Sequence, residues 1–329
     1  MGGTEALRVE ISDPGLEIRS QPGGAQMGCV RALAFAKINL FLAVGPRRPD
    51  GYHEVDTVLQ AVELADLIEV AERPDGQVAL EALGDFPVPA GQENLCWRAA
   101  QAARDAWAPG RGLQMTLTKN VPVAAGLGGG SSDAAAVLLA AEALWQAQPT
   151  GEERLALAAS LGSDVPFFVV GGTAAASGRG ERIHPLPPAP PMWLVVGKPA
   201  ESVSTAVAYG RFDRIGRLER ATSEQMRAAL ASGDRAAIAA LLYNDLEPAV
   251  LPVARGTARL KADLLSAGCL GALMAGSGSA AFGIAADEAQ ARQIARDLAE
   301  RYPWVRAVRT VSQGCGITAC PQEADHADA

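Results

Sequence analysis

The chain has 329 residues, 49% of them hydrophobic and 20% charged, an ordinary globular balance with room for two domains of about 100–200 residues each. Its 29 Lys and Arg against 37 Asp and Glu leave a net charge of −8, which offers no positive field to a nucleic acid or an anionic membrane. An anionic small molecule would need local positive charge, and no apolar run approaches the roughly 18 residues of a membrane span.

Residues 1–30 are rich in Gly, Pro and Gln and carry acids before any apolar segment, unlike a secretory signal, and read as a loose extension. The five cysteines are scattered without a neighbouring His at zinc spacing, so reduced thiols in a cytoplasm are expected. From Leu33 to Val44 the period-two pattern predicts a strand with Ile38, Leu40, Leu42 and Val44 on one face and Lys37 and Asn39 on the other. Arg47–Glu54, with Pro49 and Asp50-Gly51, reads as a turn. It carries Tyr52 and His53. A lone His is more often structural, yet an aromatic beside a His on a loop could stack on a base and hydrogen-bond its edge.

Leu113, Met115 and Leu117 alternate with polar residues up to Lys119 and predict a second strand. The stretch VAAGLGGGSSD, residues 123–133, then puts four glycines within five positions. Asp133 to Ala147 is Ala- and Leu-rich without a breaker, a buried helix for which Ser131 or Ser132 can serve as N-cap. Strand, bare loop and helix N-terminus together make an anion site, with free N–H groups and the positive end of the helix dipole facing the loop. A tight turn without a ligand is the alternative, but it needs one or two glycines rather than four. Ser131 stands where a Walker loop requires Lys and also where a dinucleotide fingerprint requires its third Gly, so neither motif applies. Asp133 would repel phosphate unless it turns aside or helps hold a metal ion through water; an acid placed against the helix dipole is the simpler reading.

In Leu161–Phe168 the acid Asp164 is framed by small residues and followed by the apolar run Val165–Val170, read as a strand. Asp164 could cap a turn, or accept a proton from a substrate hydroxyl with Lys37 as the cation that keeps it ionised. His184–Pro191 is proline-rich and reads as a domain linker ahead of a strand over Met192–Gly197. A helix over Leu260–Ala267, a strand over Leu270–Met274, a second bare loop over Ala275–Ser279 and a helix over Ala285–Arg301 follow. The residues from Pro321 read as a frayed tail.

Pro122–Ser132, Gly162-Ser163-Asp164-Val165-Pro166 and Gly276-Ser277-Gly278, in that order, closely resemble the motifs of the galactose, homoserine, mevalonate and phosphomevalonate (GHMP) kinase superfamily. Ala36-Lys37-Ile38-Asn39-Leu40, Asp50-Gly51-Tyr52-His53 and Gly130–Ala135 narrow the resemblance to the branch that phosphorylates the 2-hydroxyl of a cytidyl-diphosphate sugar alcohol in non-mevalonate isoprenoid synthesis. It spans roughly Leu33 to Thr318. The resemblance implies an α+β, two-domain fold. A ribosomal-protein-S5-like nucleotide-binding α/β domain would cover residues 31–187 and a ferredoxin-like α+β domain 188–318, between the extension at 1–30 and a tail at 319–329.

It further implies a cytoplasmic enzyme using ATP and Mg²⁺, a small-molecule substrate, no nucleic-acid or membrane partner, and a monomer or weak homodimer. Lys37 and Asp164 match the catalytic pair. Pro122, Val123, Ala124, Ala125, Gly126, Leu127, Gly128, Gly129, Gly130, Ser131 and Ser132 match the loop that holds the ATP phosphates, with Ser132 also reaching the metal. Asn94 and Lys119 match the adenine side of the site, Asn39 a substrate position, Tyr52 and His53 the cytosine-recognising pair, and Tyr209 the aromatic on the other face of that base. Val123-Ala124-Ala125 departs from the family, where glycine is more frequent, and so does Ser279-Ala280-Ala281 after the second loop. A related kinase acting on a mevalonate- or homoserine-like alcohol, or an ATP-binding regulator without activity, are the alternatives. The base-recognising turn argues against the first and retention of both Lys37 and Asp164 against the second.

Overall fold

The computed structural model describes residues 28–216 and 222–320. Of the extension read over 1–30 and the tail read over 319–329, residues 1–27 and 321–329 lie outside the described residues, whereas Cys29 and Val30 belong to a strand pairing with the strand that holds Ala319, which corrects the boundaries there. The chain opens with two long antiparallel strands, β1 (Cys29–Arg47) and β2 (His53–Arg73). β3 (Val78–Gly84), α1 (Leu95–Trp107), β4 (Gly112–Lys119), α2 (Gly129–Trp145), α3 (Gly151–Leu161), α4 (Val165–Val170), β5 (Thr173–Ser177) and β6 (Arg182–Pro185) follow. The second half runs β7 (Trp193–Lys198), α5 (Thr205–Ile215), α6 (Glu224–Ser232), α7 (Arg235–Ala240), β8 (Tyr243–Asn244), α8 (Glu247–Val250) and α9 (Arg255–Ser266). It closes with β9 (Gly271–Met274), β10 (Ala281–Ala285), α10 (Glu288–Ala299), β11 (Trp304–Arg309) and β12 (Cys315–Ala319).

One sheet has eight strands along the path β12-β1-β2-β4-β3, with β5 on β2, β6 on β5 and β8 on β1. The other is a four-stranded antiparallel sheet, β11-β7-β10-β9, whose β7, α9, β9, β10, α10 and β11 follow the ferredoxin-like βαββαβ order. The two-domain α+β architecture is as expected, but its dividing line is not a single point in the chain. His184 and Pro185 belong to β6 rather than to a linker. The chain also returns twice to the first sheet, through β8 beside Phe41 and Leu42 and through β12 beside Val30–Ala34. Ile38 and Leu40 of β1 share one apolar cluster with Leu194 and Val196 of β7 and Phe282 and Ile284 of β10, so the two sheets close on a common core.

The alternation expected along β1 holds only as far as a β-bulge. Asn39 pairs with Leu59 and Phe41 with Val58, which leaves Leu40 as the extra residue and reverses the facing of everything after it. Ile38, Leu40, Phe41 and Ala43 fall in the shared core, whereas Leu42 and Val44 join the side of Lys37 and Asn39. Sequence periodicity alone put Leu42 and Val44 on the wrong face.

α2 is apolar all round, as the composition suggested, and its Ala134, Ala135, Ala136, Ala140 and Ala141 are fully buried against the sheet face of Val30, Ala32, Ala34, Ile68 and Val70. The run Val165–Val170 is a helix and not the expected strand. Pro166 sits in the first turn, where its missing N–H costs nothing, and Gly171 ends the element. Phe167 and Phe168 are fully buried there, worth about 1.5–3 kcal/mol each, and this packing outweighs the β propensity of the run. α9 starts earlier than read, and α10 starts at Glu288 under an Asp287 cap because Ala281–Ala285 is a strand.

The antiparallel pairing of β1 with β12 brings Cys29 and Cys320 side by side, Cα atoms 5.4 Å apart, and they form a disulfide. The expectation of reduced thiols is therefore corrected for this pair and stands for Cys96, Cys269 and Cys315. Among the described residues no helix is long and apolar enough to cross a membrane.

Candidate active site

The glycine loop lies where β1, α4 and the second bare loop converge. α2 is capped by Gly128 in the left-handed conformation, φ 73°, and not by Ser131 or Ser132. A Cβ on Gly128 would sit 2.7 Å from Phe168 Cζ and 3.1 Å from Lys37 Cγ, and one on Gly126 would collide with the Ala275 carbonyl. These two glycines are demanded by close approach of their neighbours. The first-turn amides of Gly129, Gly130 and Ser131 find no acceptor among the described residues, which leaves them free for an anion. Ser132 is different. It is fully buried, its amide bonds the Gly128 carbonyl at 2.9 Å and its hydroxyl donates to the Phe35 carbonyl at 2.6 Å. Ser132 thus gives its hydroxyl proton to the main chain and keeps the lone pairs of its oxygen.

Ala124, in the Val123-Ala124-Ala125 stretch where the resemblance implies more glycine, holds φ 53°. An L-residue in the left-handed region costs about 1–2 kcal/mol, partly offset by the smaller unfolded-state entropy of Ala relative to Gly. Ala124→Gly is expected to raise the unfolding free energy by up to about 1 kcal/mol in urea titration. A loss of stability would contradict this account of the loop.

Lys37 is buried on β1 behind this loop, its amide bonded to the Leu127 carbonyl at 3.0 Å. Its Nζ donates to Asn39 Oδ1 at 2.7 Å and lies 3.7 Å from Asp164 Oδ2. Asn39 is held in turn by donating to Thr57 Oγ1 at 2.9 Å, and Thr57 donates to the Phe41 carbonyl at 2.6 Å. This buried chain fixes which amide atom faces the lysine. Asp164, at the start of α4, keeps 39% of its side chain exposed, so the pair has one buried cation and one carboxylate open to a ligand.

A cleft of about 1110 Å³ is lined by these groups, by the glycine loop and by Tyr52, His53 and Tyr209. Tyr52 is 53% exposed and lies under the Arg179 guanidinium, 4.9 Å from its ring centroid. His53 is buried with its ring 5.2 Å from that of Tyr209 and edge-on to Phe212. Burial pushes the Tyr209 phenol up from its ordinary value, and the charge of Asp164 adds to the effect. Asp164 thus lies near both the aromatic wall and Lys37.

Lys119 and Asn94 border the cleft, but their polar groups are committed elsewhere. Asn94 caps α1, accepting from the Cys96 amide at 2.9 Å and donating to the Pro89 carbonyl at 2.7 Å. Lys119 donates to Asp133 at 2.7 Å and to Asp66, whose other oxygen accepts from the Asn120 and Val121 amides. Burial alone would lower the Lys119 pKa, and the two carboxylates more than reverse it. Asp133 is pushed well above the ordinary carboxylate range by burial and by the charge of Asp66, against the pull of Lys119. Beyond the placement against the helix dipole read from the sequence, Asp133 belongs to a buried triad, with Oδ1 unpartnered.

Comparison with known proteins decides the family. The model of the GHMP kinases N terminal domain matches residues 94–172, and that of the GHMP kinases C terminal matches 226–303. The 4-diphosphocytidyl-2-C-methyl-D-erythritol kinase of Pelotomaculum thermopropionicum is 47% identical over 266 residues, 81% of this chain and 92% of that protein. The chain belongs to the 4-diphosphocytidyl-2-C-methyl-D-erythritol kinase family. The Desulfitobacterium hafniense member is 44% identical across 87% of this chain and 97% of its own. A crystal structure of 4-(cytidine 5'-diphospho)-2C-methyl-D-erythritol kinase superposes with a TM-score of 0.72 at 38% identity, covering 85% of this chain and 98% of that one.

Within this member of the kinase family, sequence reading missed several residues that hold the site together. Asp66 interrupts the apolar run Leu64–Ile68, and a lone acid there signals a buried partner. Asp213 lies four residues after Tyr209 on α5 and bonds His53, a helical spacing that could have been read. Asn244 holds the second bare loop through the Met274 and Gly276 carbonyls, and Thr57 and Arg179 act on Asn39 and Tyr52. Nothing in local sequence points to these three.

Proposed function

We propose that this kinase transfers the γ-phosphoryl group of ATP to the 2-hydroxyl of 4-diphosphocytidyl-2-C-methyl-D-erythritol, with Asp164 as general base and Lys37 as its electrostatic partner. The observation that carries this reading is the 3.7 Å Lys37–Asp164 pair, set between a loop of free amides and an aromatic wall. Phosphoryl transfer needs positioning and charge stabilisation more than covalent chemistry. In this reading the amides of Gly129, Gly130 and Ser131 hold the donor phosphates. Asp164 accepts the hydroxyl proton as the oxygen attacks phosphorus, and Lys37 keeps the carboxylate ionised and offsets charge at the nucleophile. Asn39 orients the Lys37 ammonium.

Mg²⁺ would accompany the nucleotide. The Ser131 hydroxyl lines the cleft, Asp133 Oδ1 has no partner and the Ser132 oxygen keeps its lone pairs, so these are the groups of the loop that would hold the ion, directly or through water. Among the described residues no group of three or more acidic, His or Cys side chains could hold a metal ion. When bound with the nucleotide, the ion would offset charge on its phosphates.

Tyr52, His53 and Tyr209 would take the cytosine. His53→Ala is expected to raise KM for the cytidyl substrate by about tenfold or more with little change in kcat, because it removes binding shared by ground and transition states. Steady-state kinetics with each substrate varied in turn checks this, and a change confined to the ATP constant would place His53 elsewhere. The reading as a whole is tested by ATP consumption against a panel of the cytidyl-diphosphate sugar alcohol, mevalonate and homoserine. Stimulation by the first alone is expected, and none by the first would overturn it.

A further inference from the structure

The two ring nitrogens of His53 have different surroundings. Nε2 lies 2.7 Å from Asp213 Oδ1. A carboxylate only accepts, so in the neutral imidazole the proton sits on Nε2 and Nδ1 keeps its lone pair. Nδ1 bonds no described residue, and it is not among the buried side-chain atoms without a partner, which among the described residues are Asp133 Oδ1 and Trp145 Nε1. It is therefore open, in a residue that lines the cleft. The ring cannot easily turn over. Tyr209, Phe212 and Asp213 lie three and four residues apart on α5, and all three touch it, two as ring contacts and one as the hydrogen bond.

We propose that Asp213 is a positioning residue that sets base specificity: by holding the His53 proton on Nε2, it leaves an acceptor in the base site and so selects a pyrimidine with an amine at position 4. This rests on the placement of the base against His53 given above. Cytosine presents an N–H donor at position 4, which Nδ1 can accept. Uracil presents a carbonyl oxygen there. Two acceptors would face each other, each desolvated and neither paired, and a site built to hydrogen-bond a group rejects an analogue lacking it far better than shape alone does.

The test joins a spectrum to a rate ratio. Nitrogen-15 NMR of the full chain reads the tautomer, with His53→Gln assigning the His53 signals among the three histidines. The Nε2-protonated form is expected, replaced by a tautomer mixture in Asp213→Ala and restored in Asp213→Glu. In parallel, kcat/KM for the cytidyl-diphosphate substrate over its uridyl counterpart is expected to exceed about 100-fold in the wild type. It should fall by about tenfold or more in Asp213→Ala, mainly through KM, and recover in Asp213→Glu. An Nδ1-protonated His53 in the wild type, or an unchanged ratio in Asp213→Ala, would overturn the role of Asp213. A wild-type enzyme inert toward the cytidyl substrate would instead sink the functional reading, and this inference with it.

Discussion

Replacing Asp164 by Asn is expected to lower kcat by about two to four orders of magnitude, the usual cost of losing a positioned general base. The change keeps the shape of the side chain but removes both the proton acceptor and the negative charge beside Lys37 Nζ. Because the carboxylate is 39% exposed, its ion pair with Lys37 adds little to stability, and the variant should fold normally. The first-turn amides of α2 do not involve Asp164, so ATP affinity should be largely kept. kcat and kcat/KM are expected to fall together, as for an interaction realised only in the transition state. Near-normal turnover would remove Asp164 from the chemistry.

Lys119→Met is expected to be strongly destabilising, by about 3–5 kcal/mol, because it leaves buried Asp66 without its cation and removes the donor to Asp133. Lys119, Asp66 and Asp133 are each at most 2% exposed, so water cannot replace the lost partner. Urea unfolding at neutral pH reads the loss as a lower midpoint with an unchanged slope. Asp133→Asn supplies the contrast. The folded-state pKa of Asp133 is raised, so the native state holds that proton more tightly than the unfolded chain does. Its contribution is fully present below the ordinary value of 3.8 and is lost as pH rises toward the folded value. The stability of the wild type relative to Asp133→Asn should therefore decline as pH is raised from about 4 to 8. A flat or rising difference would contradict the buried-triad account.

The strand, bare loop and helix start around Gly126–Gly130 were legible because their signal is local: all three lie within one continuous stretch. The facing of Lys37 and Asn39 was legible for the same reason, and it failed for Leu42 and Val44 only because a bulge at Leu40 resets the alternation. Val165–Val170 was misread because tertiary burial of Phe167 and Phe168 decides its conformation. The disulfide was hidden by a separation of 291 residues that only the β1–β12 pairing closes. Motif order paired Lys37 with Asp164 by resemblance, but their proximity depends on β1 meeting α4 across the glycine loop. Asp66 and Asp213 left local traces, a lone acid in an apolar run and a helical spacing after Tyr209, but their partners Lys119 and His53, like those of Asn244, lie at least 30 residues away, where local sequence cannot name them.

The most direct test is a crystal structure of the ternary complex with a non-hydrolysable ATP analogue and 4-diphosphocytidyl-2-C-methyl-D-erythritol. The account predicts the analogue's phosphates on the amides of Gly129–Ser131, the cytosine against His53, and the 2-hydroxyl about 3 Å from an Asp164 carboxylate oxygen. A 2-hydroxyl turned away from Asp164, with the phosphates bound outside the glycine loop, would contradict it.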